Sequence, residues 1–138
     1  MKDRINDKIS EIEGYLEELS SIIPENFEEY KEEFKTKAAC ERYFEKIIEA
    51  LVDLAFLVIK ENSFKMPEDD KAAFDILQQE NIIPIILAGK LKDAKGMRNL
   101  IAHEYGKVDD EIVFHSITEE LKTDAQEFLD RVNEFIKA

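Results

Sequence analysis

The sequence predicts an all-α domain: four to five antiparallel helices bundled around one long central helix. Three observations carry that expectation. Apolar side chains recur at spacings of three and four along most of the chain. No stretch alternates apolar and polar residues as a half-buried strand does. Only 4 Gly and 3 Pro are present in 138 residues, too few turn-formers for an all-β domain.

Each helix has its own signal. Over residues 4–23, Ile5, Ile9, Ile12, Leu16, Leu19 and Ile22 or Ile23 form one apolar stripe, and Pro24 ends it because proline has no N–H to donate. A short acidic segment follows through Phe27, Tyr30 and Phe34. Thr36 is then the expected N-cap of a long helix running to about Lys60. Its Ile47-Ile48, Leu51-Val52 and Leu54 to Ile59 are apolar around nearly the whole circumference, as in a helix buried on most sides. Asp53 inside that helix is expected to be buried, which is costly unless the carboxylate finds a cation. After a loop over Asn62 to Met66, Pro67 and the acids Glu68 to Asp70 open a third helix that ends near Gln79. Pro84 starts a fourth, which continues to about Tyr105, with Gly106 as its stop. Asp109-Asp110-Glu111 opens a short helical turn. Thr118 with Glu119-Glu120 begins the last helix, whose apolar positions run from Leu121 to Ile136.

Size and composition bound the rest. One domain covering residues 1–138 is the expectation at this length. The lone Cys40 cannot form an internal disulfide and suits a reducing compartment. No signal-peptide pattern follows Met1, and the longest apolar run, Ala50 to Ile59, is too short for a bilayer core of roughly 30 Å. The expected location is therefore the cytoplasm, away from any membrane. A formal net charge of −13 argues against gripping nucleic acid by bulk electrostatics. One segment runs against it: between Lys90 and Lys107, five basic residues face only Asp93 and Glu104. A solvated helix face accounts for such a cluster, yet it is also the one place where an anion would be welcome.

Most chemical motifs are missing. There is no paired Glu-x-x-His, no phosphate-binding Gly-rich loop and no Gly-x-Ser-x-Gly elbow. His103 and His115 lack helpers at a recognised metal spacing, and Glu111 with His115 makes at most a surface pair, so neither metal nor cofactor is expected. Cys40 reads as a core cysteine. What remains is Arg98-Asn99-Leu100-Ile101-Ala102-His103-Glu104-Tyr105. At about 100° per residue, Arg98 and Tyr105 are nearly eclipsed and share the arc of Leu87, Leu91, Ala94 and Ile101, where the core should be. His103 sits about 140° away, beside Asn99 and Lys92. Ordinary roles exist for all three: an Arg98 paired with Asp53, a core tyrosine with a wet tip, a surface histidine. The residue types also suit phosphate chemistry.

This octapeptide resembles the Arg-x4-His-x-Tyr motif of the HepT-like toxins, within the larger HEPN helical family. The likeness extends to Ala38–Leu54, with Glu49-Ala50 and Asp53-Leu54, to Pro67–Gln79 followed by Asn81-Ile82-Ile83-Pro84, and to Val108-Asp109. The polar residue that usually follows the motif arginine is present as Asn99. The resemblance implies a toxin of a toxin–antitoxin system, a metal-independent endoribonuclease that leaves a 2′,3′-cyclic phosphate. It also implies a partner, an MntA-like nucleotidyltransferase antitoxin that silences the toxin by adenylylating the motif tyrosine, Tyr105.

In that scheme His103 moves protons and Arg98 stabilises charge developing on the phosphate. Asn99 and Tyr105 support them, Asp53 orients Arg98, and Lys92 and Lys95 contact RNA. The separation of about 140° is an obstacle on one straight helix. Either the side chains curl together, or the helix deforms near Gly96, or two copies face each other across a two-fold axis. A homodimer is the expectation, as HEPN proteins resemble that arrangement. The competing reading is a non-catalytic HEPN module that docks a nucleotidyltransferase or a nucleotide. A bundle with no site at all leaves Arg98 and Tyr105 in the apolar arc unexplained.

Overall fold

The computed structural model describes residues 2–103 and 108–138. Within them every regular element is helical: α1 (Lys2–Ile22), α2 (Phe27–Glu32), α3 (Phe34–Glu61), α4 (Asp70–Gln79), α5 (Ile85–His103), α6 (Asp110–His115) and α7 (Leu121–Lys137). A single π-turn, Ser116–Glu120, joins α6 to α7. Taken as one, α6 and α7 make a fifth long helix beside α1, α3, α4 and α5, with α2 a short sixth.

The central helix is α3, 28 residues long. It packs against α1 along one side and against α4 and α5 on another, with α2 across its start. Phe44, Ile47, Ile48, Leu51, Leu54, Val58 and Ile59 are buried in one continuous core that takes in the predicted α1 stripe and the inner face of α7. Phe74 of α4 meets Phe128 of α7 edge-on at 5.8 Å, tying the middle of the chain to its last helix within that core.

Local sequence sets most boundaries. Asn26 caps α2 by accepting from the Glu29 N–H, and Asp69 caps α4 by accepting from the Ala72 N–H at 2.8 Å. Asp109 does the same for α6 through the N–H groups of Glu111 and Ile112. Ser63 and Asn81 take up positive φ where the chain leaves α3 and α4.

Three local expectations are corrected. Thr36 lies inside α3, its hydroxyl donating to the Glu33 carboxylate rather than capping. Thr118 does not begin the last helix either. Its hydroxyl donates back to the Phe114 carbonyl oxygen at 2.8 Å, so the chain stays helical from α6 into α7. The extra residue in this π-turn shifts the register so that adjacent Ser116 and Ile117 are both buried. Asp53 is exposed, on the strip of α3 that its packed neighbours leave uncovered, and its carboxylate lies 3.7 Å from Lys8 of α1.

Among the described residues no helix is long and apolar enough to cross a membrane.

Candidate functional site

An open groove of about 540 Å³ lies where the N-terminal end of α4 meets the middle of α5, with α3 as its floor. Glu49 comes from α3; Asp69, Asp70 and Lys71 from the start of α4; Lys95, Arg98, Asn99 and His103 from α5. The three motif positions within the described residues thus open onto one groove. Tyr105, with the expected stop at Gly106, lies outside the described residues.

The angular obstacle dissolves in this geometry. Measured from Lys95 around α5, Arg98 is at about −60°, Asn99 at about +40° and His103 at about +80°. Lys95 and Asn99 fill the arc between the arginine and the histidine, and the groove is wide enough to take in the whole arc. Helix α5 runs unbroken through Gly96, so no deformation is required. The Lys71 ammonium lies across α5 at Gly96, where a Cβ would stand in ordinary contact with it at 3.4 Å.

Arg98 does sit in the arc of buried Leu87, Leu91 and Ile101, with 19% of its side chain exposed. Its guanidinium donates through Nη2 to the Glu49 carboxylate. The expected pairing with Asp53 is not made. Glu49 stands one turn earlier on α3, on the side that faces α5, whereas Asp53 has rotated toward α1. Buried Arg98 Nε has no hydrogen-bond partner among the described residues.

Lys92 and Lys95, expected as RNA contacts, are both engaged by carboxylates. Lys92 Nζ donates to Asp75 at 2.8 Å. Lys95 is only 6% exposed, its ammonium 3.4 Å from Glu49 and 3.0 Å from Asp70. Lys71 is the exposed cation of the groove, without a carboxylate partner among the described residues. His103 is exposed at the groove's edge. Glu49, Asp70 and Lys71 were not singled out from the sequence as site residues. Their placement depends on how three helices meet, which no local pattern encodes.

The remaining candidates lie elsewhere. His115 Nδ1 meets Glu119 at 2.6 Å on the π-turn rather than Glu111. Cys40 is fully buried, and burial first, then the neighbouring Glu41 carboxylate, pushes its thiol up to about 11. Such a thiol is protonated at neutral pH and a poor nucleophile. Among the described residues no three His, Cys, Asp or Glu side chains converge as a metal site would require.

The chemistry available in the groove is therefore a fixed guanidinium, a solvent-accessible imidazole, an amide and an exposed ammonium. That set suits recognition of a phosphodiester.

Comparison with known proteins points the same way. Residues 12–132 match the family described as Ribonuclease HepT-like. The chain is similar to the mRNA nuclease HepT of Shewanella oneidensis, 25% identical over 130 residues that span 94% of this chain and 96% of that protein. A putative RNase of Archaeoglobus fulgidus is 32% identical over 128 residues, 91% and 95% of the two chains. Among solved structures, the tri-AMPylated HEPN toxin of Shewanella oneidensis in complex with MNT antitoxin matches with a TM-score of 0.89 at 25% identity, covering 97% of this chain and 99% of that one.

Proposed function

The chain belongs to the Ribonuclease HepT-like family, and on that premise we propose that it is the toxin of a toxin–antitoxin pair, a cytoplasmic endoribonuclease that cuts RNA without a metal. The observation that carries the proposal is the single groove shared by Arg98, Asn99 and His103. The nucleophile is the substrate's own 2′-hydroxyl, attacking the adjacent phosphorus in line. His103 accepts its proton, the 5′-oxygen leaves with a proton taken from solvent water, and a 2′,3′-cyclic phosphate remains. Imidazole is the side chain suited to both accepting and donating a proton in such a transfer.

Arg98, held by Glu49, presents its guanidinium to the phosphate oxygens as negative charge develops on them. Asn99 hydrogen-bonds the same group, and Lys71 takes a neighbouring phosphate. Tyr105 positions the phosphate and is the acceptor of adenylate from a nucleotidyltransferase antitoxin, in keeping with the AMPylated relative bound to its MNT partner.

The working form is a homodimer. Ile85 and Ile86 are each 71% exposed and mark an apolar patch at the start of α5, with Leu100 a further exposed apolar side chain near its end. Gly89 lies on the same face, with open space around the position a Cβ would take. Two such faces bury each other in a symmetric pair and bring both grooves to one side.

The test incubates the protein with end-labelled tRNA and mRNA in EDTA, beside Arg98→Ala and His103→Ala. Wild type is expected to cleave and leave a cyclic phosphate, each variant losing about 100- to 1,000-fold. Light scattering on the same preparation is expected to give the dimer mass. No cleavage by protein whose intact mass shows no adenylate would favour the docking-module reading.

A further inference from the structure

A lysine 6% exposed is the most anomalous side chain near the groove, since lysine is almost never fully buried unless paired. Lys95 is paired twice. Its ammonium lies between Glu49 of α3, at 3.4 Å, and Asp70 of α4, at 3.0 Å. Glu49 uses the same oxygen, Oε1, for Lys95 and for Arg98. The four charges therefore alternate in a chain that crosses three helices: Asp70, Lys95, Glu49, Arg98.

We propose that Lys95 is a positioning residue for the motif arginine: a buried cation that locks the Glu49 carboxylate in place so that Arg98 is held at the groove. This rests on the ribonuclease reading for its catalytic readout. The argument has two parts.

Glu49 alone would be a loose anchor. Its side chain is 37% exposed and, tied only to Arg98, it would share one mobile ion pair of small worth. A second, buried cation on the same oxygen removes that freedom. Lys95 is itself fixed, because Asp70 follows directly on the Asp69 cap of α4, which is held by the Ala72 N–H. The start of α4 is thereby coupled to the aim of a side chain on α5.

The second part is electrostatic. A guanidinium facing one carboxylate forms a pair of zero net charge, a poor partner for an anionic phosphate. Lys95 shares that carboxylate oxygen, so the Glu49 charge is divided between two cations, with Asp70 balancing Lys95 from the other side. Arg98 then stays fixed without being cancelled.

The rival role for Lys95 is direct contact with RNA phosphate, and the two differ in what they predict. A phosphate contact contributes to binding and to its salt dependence, so its loss lowers the slope of log Kd against log salt by about one unit. A positioning residue contributes to the chemical step and leaves that slope alone.

The experiment is single-turnover cleavage of an end-labelled RNA in EDTA by Lys95→Met and Lys95→Arg, with RNA affinity measured across a salt series and folding checked by thermal melting. Lys95→Met keeps the apolar stem. It is expected to lower the cleavage rate about 100-fold, the effect of misplacing a reacting group by roughly an ångström. The salt slope is expected to stay as in wild type, and Lys95→Arg to recover most of the rate. A Lys95→Met rate within threefold of wild type would overturn the proposal, as would a salt slope lowered by one.

A readout without catalysis separates this inference from the activity it is built on. The Arg98 side-chain Nε–H resonance, assigned by its disappearance in Arg98→Lys, is expected to be sharp in wild type and broadened in Lys95→Met and Glu49→Ala. An unchanged resonance in both variants would overturn the proposal even if wild type cleaves. A sharp wild-type resonance that broadens in both would uphold it even if wild type does not.

Discussion

Two places in this bundle bring ionisable side chains against the central helix, and they are built in opposite ways. At the groove, Arg98, Lys95, Glu49 and Asp70 alternate in sign, and both carboxylates stay partly exposed to solvent. Across the start of α3, where α2 and α6 cover it, Tyr30, Cys40 and Glu41 are buried behind the rings of Phe27 and Phe114. Here Lys37 reaches Asp110 of α6 at 2.8 Å, while Glu41 is pushed above its ordinary value, first by burial and then by Asp110 and Glu45, with Lys37 opposing. Burial also raises the Tyr30 phenol and the Cys40 thiol. The closed region thus raises the proton affinity of its buried acids, while the open one keeps its charges paired. Charge balanced beside a groove leaves its groups within reach of solvent; ionisable groups sealed under aromatic rings mark a packing joint.

The strongest way to break that contrast is Phe114→Ala. Phe114 lies 5.1 Å from the Tyr30 ring and 5.9 Å from that of Phe27, and it fastens α6 to α2. Its half-buried position puts the expected cost at about 2–3 kcal/mol, below that of a fully buried phenylalanine. Cleavage per folded molecule is expected to stay within threefold of wild type. Denaturant melts beside a cleavage assay on the folded fraction check both. A variant that kept its stability and lost its activity would make the joint part of the site.

The two regions were unequally legible in the sequence. Apolar spacing, the prolines and the acidic helix starts placed the helices and the long central α3, because those signals are local, whereas the starts expected at Thr36 and Thr118 both lie within helix. The motif on α5 was legible as well, down to an arginine on the apolar arc. Glu49 and Asp53 are four residues apart on a helix apolar nearly all round, and only the packing of α1 against one side and α5 against another separates them. The partners of Lys92 and Lys95 lie on α3 and α4, so nothing in the α5 sequence told a buried cation from a free one. The π-turn was hidden for a related reason. Thr-Glu-Glu reads as a helix start, and only the backward hydrogen bond to Phe114 shows that the helix had already begun.

Glu41 sharpens the contrast through pH. Its folded-state value lies above the ordinary 4.5, so the folded protein keeps a proton that the unfolded chain has released. Stability from this group is full below 4.5 and falls as pH rises through the raised value. Glu41→Gln keeps the shape and cannot ionise. Denaturation at a series of pH values is expected to show the variant matching wild type in acid and exceeding it at neutral pH. The gain is smaller than the loss in Phe114→Ala, because Lys37 already offsets part of the burial cost. Asp124, raised by burial against Lys90, titrates in the same sense in both proteins and cancels from the difference. A variant less stable than wild type at neutral pH would mean that the Glu41 carboxylate is held by partners as the groove's acids are.

The smallest expected effect concerns Tyr30. Its hydroxyl is buried with no hydrogen-bond partner among the described residues, while its ring packs on Phe27 and Phe114. Burying an unpaired hydroxyl costs about 1–3 kcal/mol, and Tyr30→Phe removes that cost while keeping the ring contacts. Stability is expected to rise by up to about 1 kcal/mol, measured as a shift in the denaturant midpoint at constant slope. Arg98 Nε is likewise buried and without a partner among the described residues, yet its group faces a groove open to a phosphate. The same kind of orphaned polar atom therefore sits in two settings. At Tyr30 its removal is expected to stabilise the joint; at Arg98 the buried Nε–H belongs to a guanidinium that lines the groove. Loss of stability in Tyr30→Phe would give the hydroxyl a partner after all and erase that distinction.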